Sequence, residues 1–205
     1  MNRVLVIAPH IDDAEAGCGG LIHRLSREGK QVTILSLCKF THTDQGMEVV
    51  RATNILQQRE TGSKIERIDA NVADDLTFSQ NELAVRAHIR RAFRDSKPDW
   101  LVYPASDDYH EDHGVVRRAA LVYVGEGLNG LAFRPLNRGG LPRPNYFVSL
   151  SVSDVRAKYE ALREYKIAEG QKWATWDAIK GAAIAYGLPV RKTYAEAYVL
   201  ERRVI

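Results

Sequence analysis

The sequence predicts an α/β protein: a Rossmann-like, mostly parallel sheet with helices on both faces and a small C-terminal strand/helix region. Three observations carry this reading. Short runs rich in Val, Ile and Leu alternate with segments of helical periodicity, the order that βαβ units produce. Those runs are continuously apolar rather than alternating, as strands buried on both faces are. The length of 205 residues, with 45% hydrophobic and 27% charged residues, suits one domain over 1–205 with a core of its own.

Taken in order, RVLVIAP (3–9) reads as a buried strand, and EAGCGGLIHRLSREGK (15–30) as a helix closing near Gly29 with a cationic last turn. QVTILSLC (31–38) is a second strand, GMEVVRATNILQQRETG (46–62) a helix, and KIERIDA (64–70) a short strand. Residues 79–99 form a strong helix pattern, with Ser79 as cap, Glu82 three residues on and Pro98 beyond its end. WLVYPA (100–105) is another buried strand, and 113–127 a helix. The Gly- and Pro-rich stretch 127–145 reads as a long loop. A strand at 146–152, a helix at 153–169 starting at Ser153 or Asp154, a helix at 173–187 and a partly alternating strand at 194–205 complete the chain.

The net charge of +3 is no nucleic-acid signature. No run approaches the ~18 apolar residues of a membrane span, and the N-terminal run is too short for a signal peptide. Cys18 and Cys38 are too few for a disulfide framework and read as buried thiols in a reducing compartment. A cytoplasmic protein without nucleic-acid or membrane partners is expected.

The chemistry gathers in two places. His10, Asp12 and Asp13 follow the first strand, and ASDDYHEDHG follows WLVYPA with Asp107, Asp108, His110, Glu111, Asp112 and His113. In open α/β sheets ligands sit outside the carboxyl ends of strands, so the two clusters can converge. A catalytic zinc takes three His or carboxylate ligands and keeps one position for water. His10, one of the two aspartates and a histidine of the second cluster supply three ligands. The other aspartate is left as a general base. His42 follows the second strand at the same edge and is a candidate to line a substrate pocket, and Tyr109 a candidate to stack on a sugar ring. Two other readings are weaker. An Asp-Asp pair is common at helix N-termini. A nucleotide or nucleotide-sugar binding module would want G-x-G-x-x-G, but position 22 is isoleucine, and the carboxylates would repel a pyrophosphate. The GCGG run (17–20) instead reads as close packing of a helix against the sheet.

PHIDDAEAGCGG resembles the AHPDD…GCGG signature of the LmbE-like (PIG-L) N-deacetylases, HEDH resembles their H-P-D-H, and YAEAY their closing Y-x-E-x-F. The resemblance runs over nearly the whole chain. It implies zinc, or another divalent cation, on His10, Asp13 and His113, with Asp12 as general base and later acid. It implies that His110 stabilises the oxyanion, that Asp112 orients His110, that Glu196 lies near the active-site mouth and that Arg51 contacts substrate. The implied reaction releases acetate from a small N-acetylated amino sugar or sugar conjugate. Family members are often homo-oligomers. Ile11 and Glu111 stand where the family carries prolines, and Arg51 is followed by Asn54 where R-x-x-E is usual.

Overall fold

The computed structural model describes residues 1–57, 63–136 and 143–203. Seven strands form its sheet: β1 (Arg3–Ala8), β2 (Gln31–Cys38), β3 (Lys64–Ala73), β4 (Trp100–Pro104), β5 (Asn129–Phe133), β6 (Tyr146–Leu150) and β7 (Tyr194–Arg202). Their order across the sheet is β3-β2-β1-β4-β5-β7-β6. β1 to β5 run parallel, and β7 is antiparallel to both β5 and β6. The helices are α1 (Asp13–Arg27), α2 (Gln45–Leu56), α3 (Glu82–Ser96), α4 (Glu111–Gly125), α5 (Val152–Leu162) and α6 (Trp176–Gly187). Residues 58–62, 137–142 and 204–205, the ends or middle of the expected helix 46–62, loop 127–145 and strand 194–205, lie outside the described residues.

The continuous hydrophobicity of β1 follows from its place at the centre. Successive side chains point to opposite faces, and both faces are covered. Val4, Val6 and Ala8 pack with α1, α2, α5 and α6, whereas Leu5 and Ile7 pack with residues of α3 and α4. All five are buried. The chain moves outward from β1 through β2 to β3 and then returns to the other side of β1 with β4. This reversal is the topological switch point where open α/β sheets bind ligands. Val6 lies opposite Val102, so β1 and β4 deliver their following loops to one edge of the sheet.

Three boundaries differ from the sequence reading. The expected loop 127–145 contains β5, paired with β4 from Trp100↔Asn129 to Pro104↔Phe133. Its glycine marks tight packing and no turn: a Cβ on Gly130 would lie 2.8 Å from the Tyr103 hydroxyl and from Val124. The expected Ser79 cap is absent, because Phe78–Asn81 forms a 3₁₀ turn and α3 begins at Glu82. Phe78 is buried and its amide donates to Asp112, which docks that turn on α4. The cap expected near Ser153 is Ser151, in a reciprocal capping box with Asp154.

The GCGG run does what close packing requires. α1 is broken at Cys18 (φ −145°, ψ 24°), so its first turn and its remainder take different directions. A Cβ on Gly17 would lie 2.1 Å from the Phe133 ring, and one on Gly20 would lie 2.5 Å from Leu150. Gly17→Ala is therefore expected to destabilise the protein by about 1–3 kcal/mol through overpacking, seen as a lower midpoint in urea unfolding. An unchanged midpoint would mean that Phe133 yields freely and that α1 is not pinned here.

Candidate active site

His10, Asp12 and Asp13 occupy the β1–α1 turn, and Asp108, His110, Asp112 and His113 occupy the β4–α4 turn and the start of α4. Three atoms from the two turns converge. His10 Nδ1 is 3.0 Å from Asp13 Oδ2, His113 Nε2 is 3.1 Å from the same oxygen, and the two imidazole nitrogens are 3.4 Å apart. Ligands at about 2.0–2.1 Å from a tetrahedral cation stand roughly 3.3 Å from one another, so the triad has nearly the spacing of one face of such a polyhedron.

The donor chemistry fits as well. His113 Nδ1 lies 2.6 Å from Asp108 Oδ2, where both side chains are fully buried, so this nitrogen carries a proton and Nε2 is the atom that faces Asp13. His10 Nε2 lies 3.2 Å from Asp112 Oδ2 and 3.1 Å from Asp75 Oδ1, which leaves Nδ1 toward Asp13. Each metal-facing imidazole is thus backed by a carboxylate, the usual arrangement of metal-ligating histidines. The same residues without a cation hold protons tightly. Burial works against charge on His10, but Asp112 and Asp13 overcome it and lift its pKa to about 11. Burial likewise opposes charge on His113, and Asp13 and Asp108 lift it to about 9.

The neighbouring aspartates are driven apart. Burial raises Asp13, yet His113 and His10 hold it well below the carboxylate range. Asp12 accepts no such pair; burial and the charge of Asp13 push it up to about 7. One carboxylate is a fixed anion and its neighbour can exchange a proton near neutrality.

His110 caps α4, its Nδ1 accepting the Asp112 amide at 3.3 Å. That bond fixes the tautomer: Nε2 carries the proton and points at Asp75 Oδ1, 3.3 Å away. The expected orientation of His110 by the Asp112 carboxylate is therefore corrected. The Asp112 backbone does it, while the carboxylate binds His10 and the amides of Leu76 and Phe78. His10, Asp75, His110 and Asp112 also stand close enough to surround a cation. In that group the Nε2–H of His110 donates to Asp75 Oδ1.

An open cleft of about 460 Å³ lies over these residues, lined by His10, Asp12, Asp13, Cys38, His42 and Glu48 among others. His42 is where the sequence placed it. Arg51 is not: it sits one helical turn beyond the cleft wall and pairs with Glu164. Tyr109 is 93% exposed, with the Arg134 guanidinium 5.7 Å from its ring centre, and it does not line the cleft. Glu196 is buried away from the mouth. Its oxygens accept the Gly20 and Leu21 amides, the Lys158 ammonium and the Tyr198 hydroxyl. It thereby satisfies the amides freed by the break in α1, which explains a carboxylate in the core.

Sequence reasoning listed Asp108 in the second cluster without giving it a role, and missed Arg67. Arg67, buried on β3, binds Glu15 at 2.6 Å, Ser36 Oγ at 2.9 Å and the carbonyl of Ile11. It holds the β1–α1 turn by hydrogen bonds. A charged residue in an otherwise weak strand was the available signal.

A mostly parallel Rossmann-like sheet thus carries, at its switch point, a His/Asp triad with the spacing of a cation site beside an ionisable carboxylate. Residues 5–124 match the PIG-L family, described as GlcNAc-PI de-N-acetylase. The chain belongs to this family. It is 26% identical over 220 residues to the diacetylchitobiose deacetylase of Thermococcus kodakarensis (strain ATCC BAA-918 / JCM 12380 / KOD1), covering 96% of this chain and 82% of that protein. It superposes with a TM-score of 0.74 on a conserved protein of Thermus thermophilus, 24% identical, with 100% of this chain and 97% of the other covered. A TM-score of 0.74 also relates it to the 4-carboxy-2-hydroxymuconate hydratase of Pseudomonas putida KT2440, 18% identical, with 100% and 98% covered. Likeness at such identity shows the fold alone, so the chemistry has to be argued from the site.

Asp108→Asn is expected to weaken cation binding 10- to 100-fold, as loss of a carboxylate behind a ligating histidine does. Binding should also tighten as pH rises, because protons on His10 and His113 compete with the cation. Titration against a chromogenic chelator at several pH values checks both. Unchanged affinity in Asp108→Asn would remove His113 from the ligand set.

Proposed function

We propose that this protein is a zinc-dependent N-deacetylase that hydrolyses the acetamide of an amino sugar or sugar conjugate to acetate and a free amine. One observation carries the reading. Asp12, poised near neutrality, and the Nε2–H of His110 face the same cleft as a triad suited to a divalent cation. A base, an oxyanion donor and an electrophile site are the parts that amide hydrolysis needs.

His10, Asp13 and His113 would hold the cation, which in such sites polarises a carbonyl and lowers the pKa of water toward about 7. Asp12 takes the proton from the attacking water. His110 donates from Nε2 to the carbonyl oxygen as negative charge builds there. Asp12 then returns the proton to the departing nitrogen, which leaves as an amine. Family membership and the diacetylchitobiose deacetylase relative support an acetylated amino sugar as substrate. A nucleotide-binding module without chemistry does not suit a first turn that presents Asp12 and Asp13. No helix among the described residues is long and apolar enough to cross a membrane.

The decisive experiment is acetate release from N-acetylhexosamines, chitobiose and their conjugates by the metal-loaded enzyme; stoichiometric metal with no acetate from any of them would refute the reading. Asp12→Asn should keep the metal and lose at least about 10²-fold in kcat. The acid limb of kcat/KM reports the same group. Activity requires ionised Asp12, so it falls as pH drops through the Asp12 pKa, at or below about 7 because a bound cation favours the carboxylate. A variant with wild-type kcat, or one that keeps the same acid limb, would take the proton transfer away from Asp12.

A further inference from the structure

α2 turns an unexpected residue toward the substrate cleft. Its buried positions are Glu48, Val49, Ala52 and Leu56, so a carboxylate stands in the apolar stripe of the helix. Glu48 is only 3% exposed and lines the cleft. Among the described residues no hydrogen bond or ion pair reaches its side chain. The cations beside it are engaged elsewhere. Lys166 binds Asp44 at 2.6 Å, and Lys39 reaches Asp74 at 3.4 Å. Gln45, on the same wall, gives its Oε1 to the amides of Thr41 and His42. Arg51, three residues along, faces outward to Glu164. The cleft wall therefore offers an acceptor where the family resemblance led us to expect a guanidinium donor.

A buried carboxylate without a hydrogen-bond partner is unfavourable unless something satisfies it, and the cleft that Glu48 lines gives a ligand access to it. Glu48 also stands apart from both His/Asp groups, so it is no ligand of their cation. Lys39 and Lys166 line the same cleft, and the charge of Glu48 reaches Lys166. An ionised carboxylate has two acceptor oxygens and no donor, which matches a pair of neighbouring hydroxyls. We propose that Glu48 is the specificity-determining residue of this enzyme, binding two adjacent ring hydroxyls of the sugar that carries the acetamide.

The inference rests on the deacetylase reading, and the test separates the two. Acetate release is measured for wild type, Glu48→Gln and Glu48→Ala, using N-acetylglucosamine and analogues that each lack one ring hydroxyl. Wild type should lose roughly 10- to 100-fold in kcat/KM for the analogues missing a contacted hydroxyl, the usual effect of a hydrogen bond to a charged group. Glu48→Ala should lose a similar factor on the parent sugar and should no longer distinguish the analogues. Neither variant should lower the thermal midpoint, because an unpartnered carboxylate is being removed; a structural carboxylate would lower it. Glu48→Ala within twofold of wild type, unchanged discrimination, or a fallen midpoint in both variants would overturn the proposal. An effect confined to sugars bearing a free amine would overturn the hydroxyl assignment. If wild type releases no acetate from any sugar, the deacetylase reading fails by itself. N-acetylglucosamine binding, followed as a thermal shift in wild type and Glu48→Ala, then still tests Glu48, and an equal shift in both would overturn the proposal.

Discussion

Everything at this site depends on charge brought into a nearly closed space and made tolerable by pairing. Asp13, His113, Asp108 and Asp112 are all buried at the end of a sheet whose two faces are apolar. Carboxylates in such a place are costly unless cations or donors meet them. Asp108 meets His113, Asp112 meets His10 and two backbone amides, and Asp13 meets both imidazoles. These pairings aim two imidazole nitrogens at one carboxylate oxygen. They also leave Asp12 as the one carboxylate of the β1–α1 turn without an imidazole partner, which is why it can take up a proton near neutrality while Asp13 stays ionised.

The surrounding fold serves that geometry. The return from β3 to β4 sets the two turns side by side at the edge of adjacent parallel strands. The break at Cys18 lets the first turn of α1 follow the site while the rest of the helix lies on the sheet. Glu196, from the far strand β7, satisfies the amides that the break exposes. Arg67 holds the Ile11 carbonyl between the two functional residues His10 and Asp12. The turn around Ile11 is thus restrained through a buried guanidinium.

Much of this was legible in the sequence. The parallel sheet follows from unbroken apolar runs, and the two clusters follow from their position after strands, because side-chain pattern reports burial on both faces. What was hidden depends on tertiary packing. Gly130 looked like loop chemistry but is small because Tyr103 and Val124 press on it. Glu196 looked like a mouth residue by analogy but answers amides in α1, a contact across 176 positions that no local pattern encodes. Arg51 and Glu48 could have been separated from periodicity alone, since Glu48 shares its helix face with Val49, Ala52 and Leu56. The orientation of His110 could not, because it hangs on a backbone amide.

The central claim is that His10, Asp13 and His113 together hold one cation, and X-ray absorption on the zinc-loaded protein addresses it most directly. The account predicts four light ligands at about 2.0–2.1 Å with the multiple-scattering pattern of two imidazoles. A shell of oxygens only, or six-fold coordination without imidazole, would contradict it.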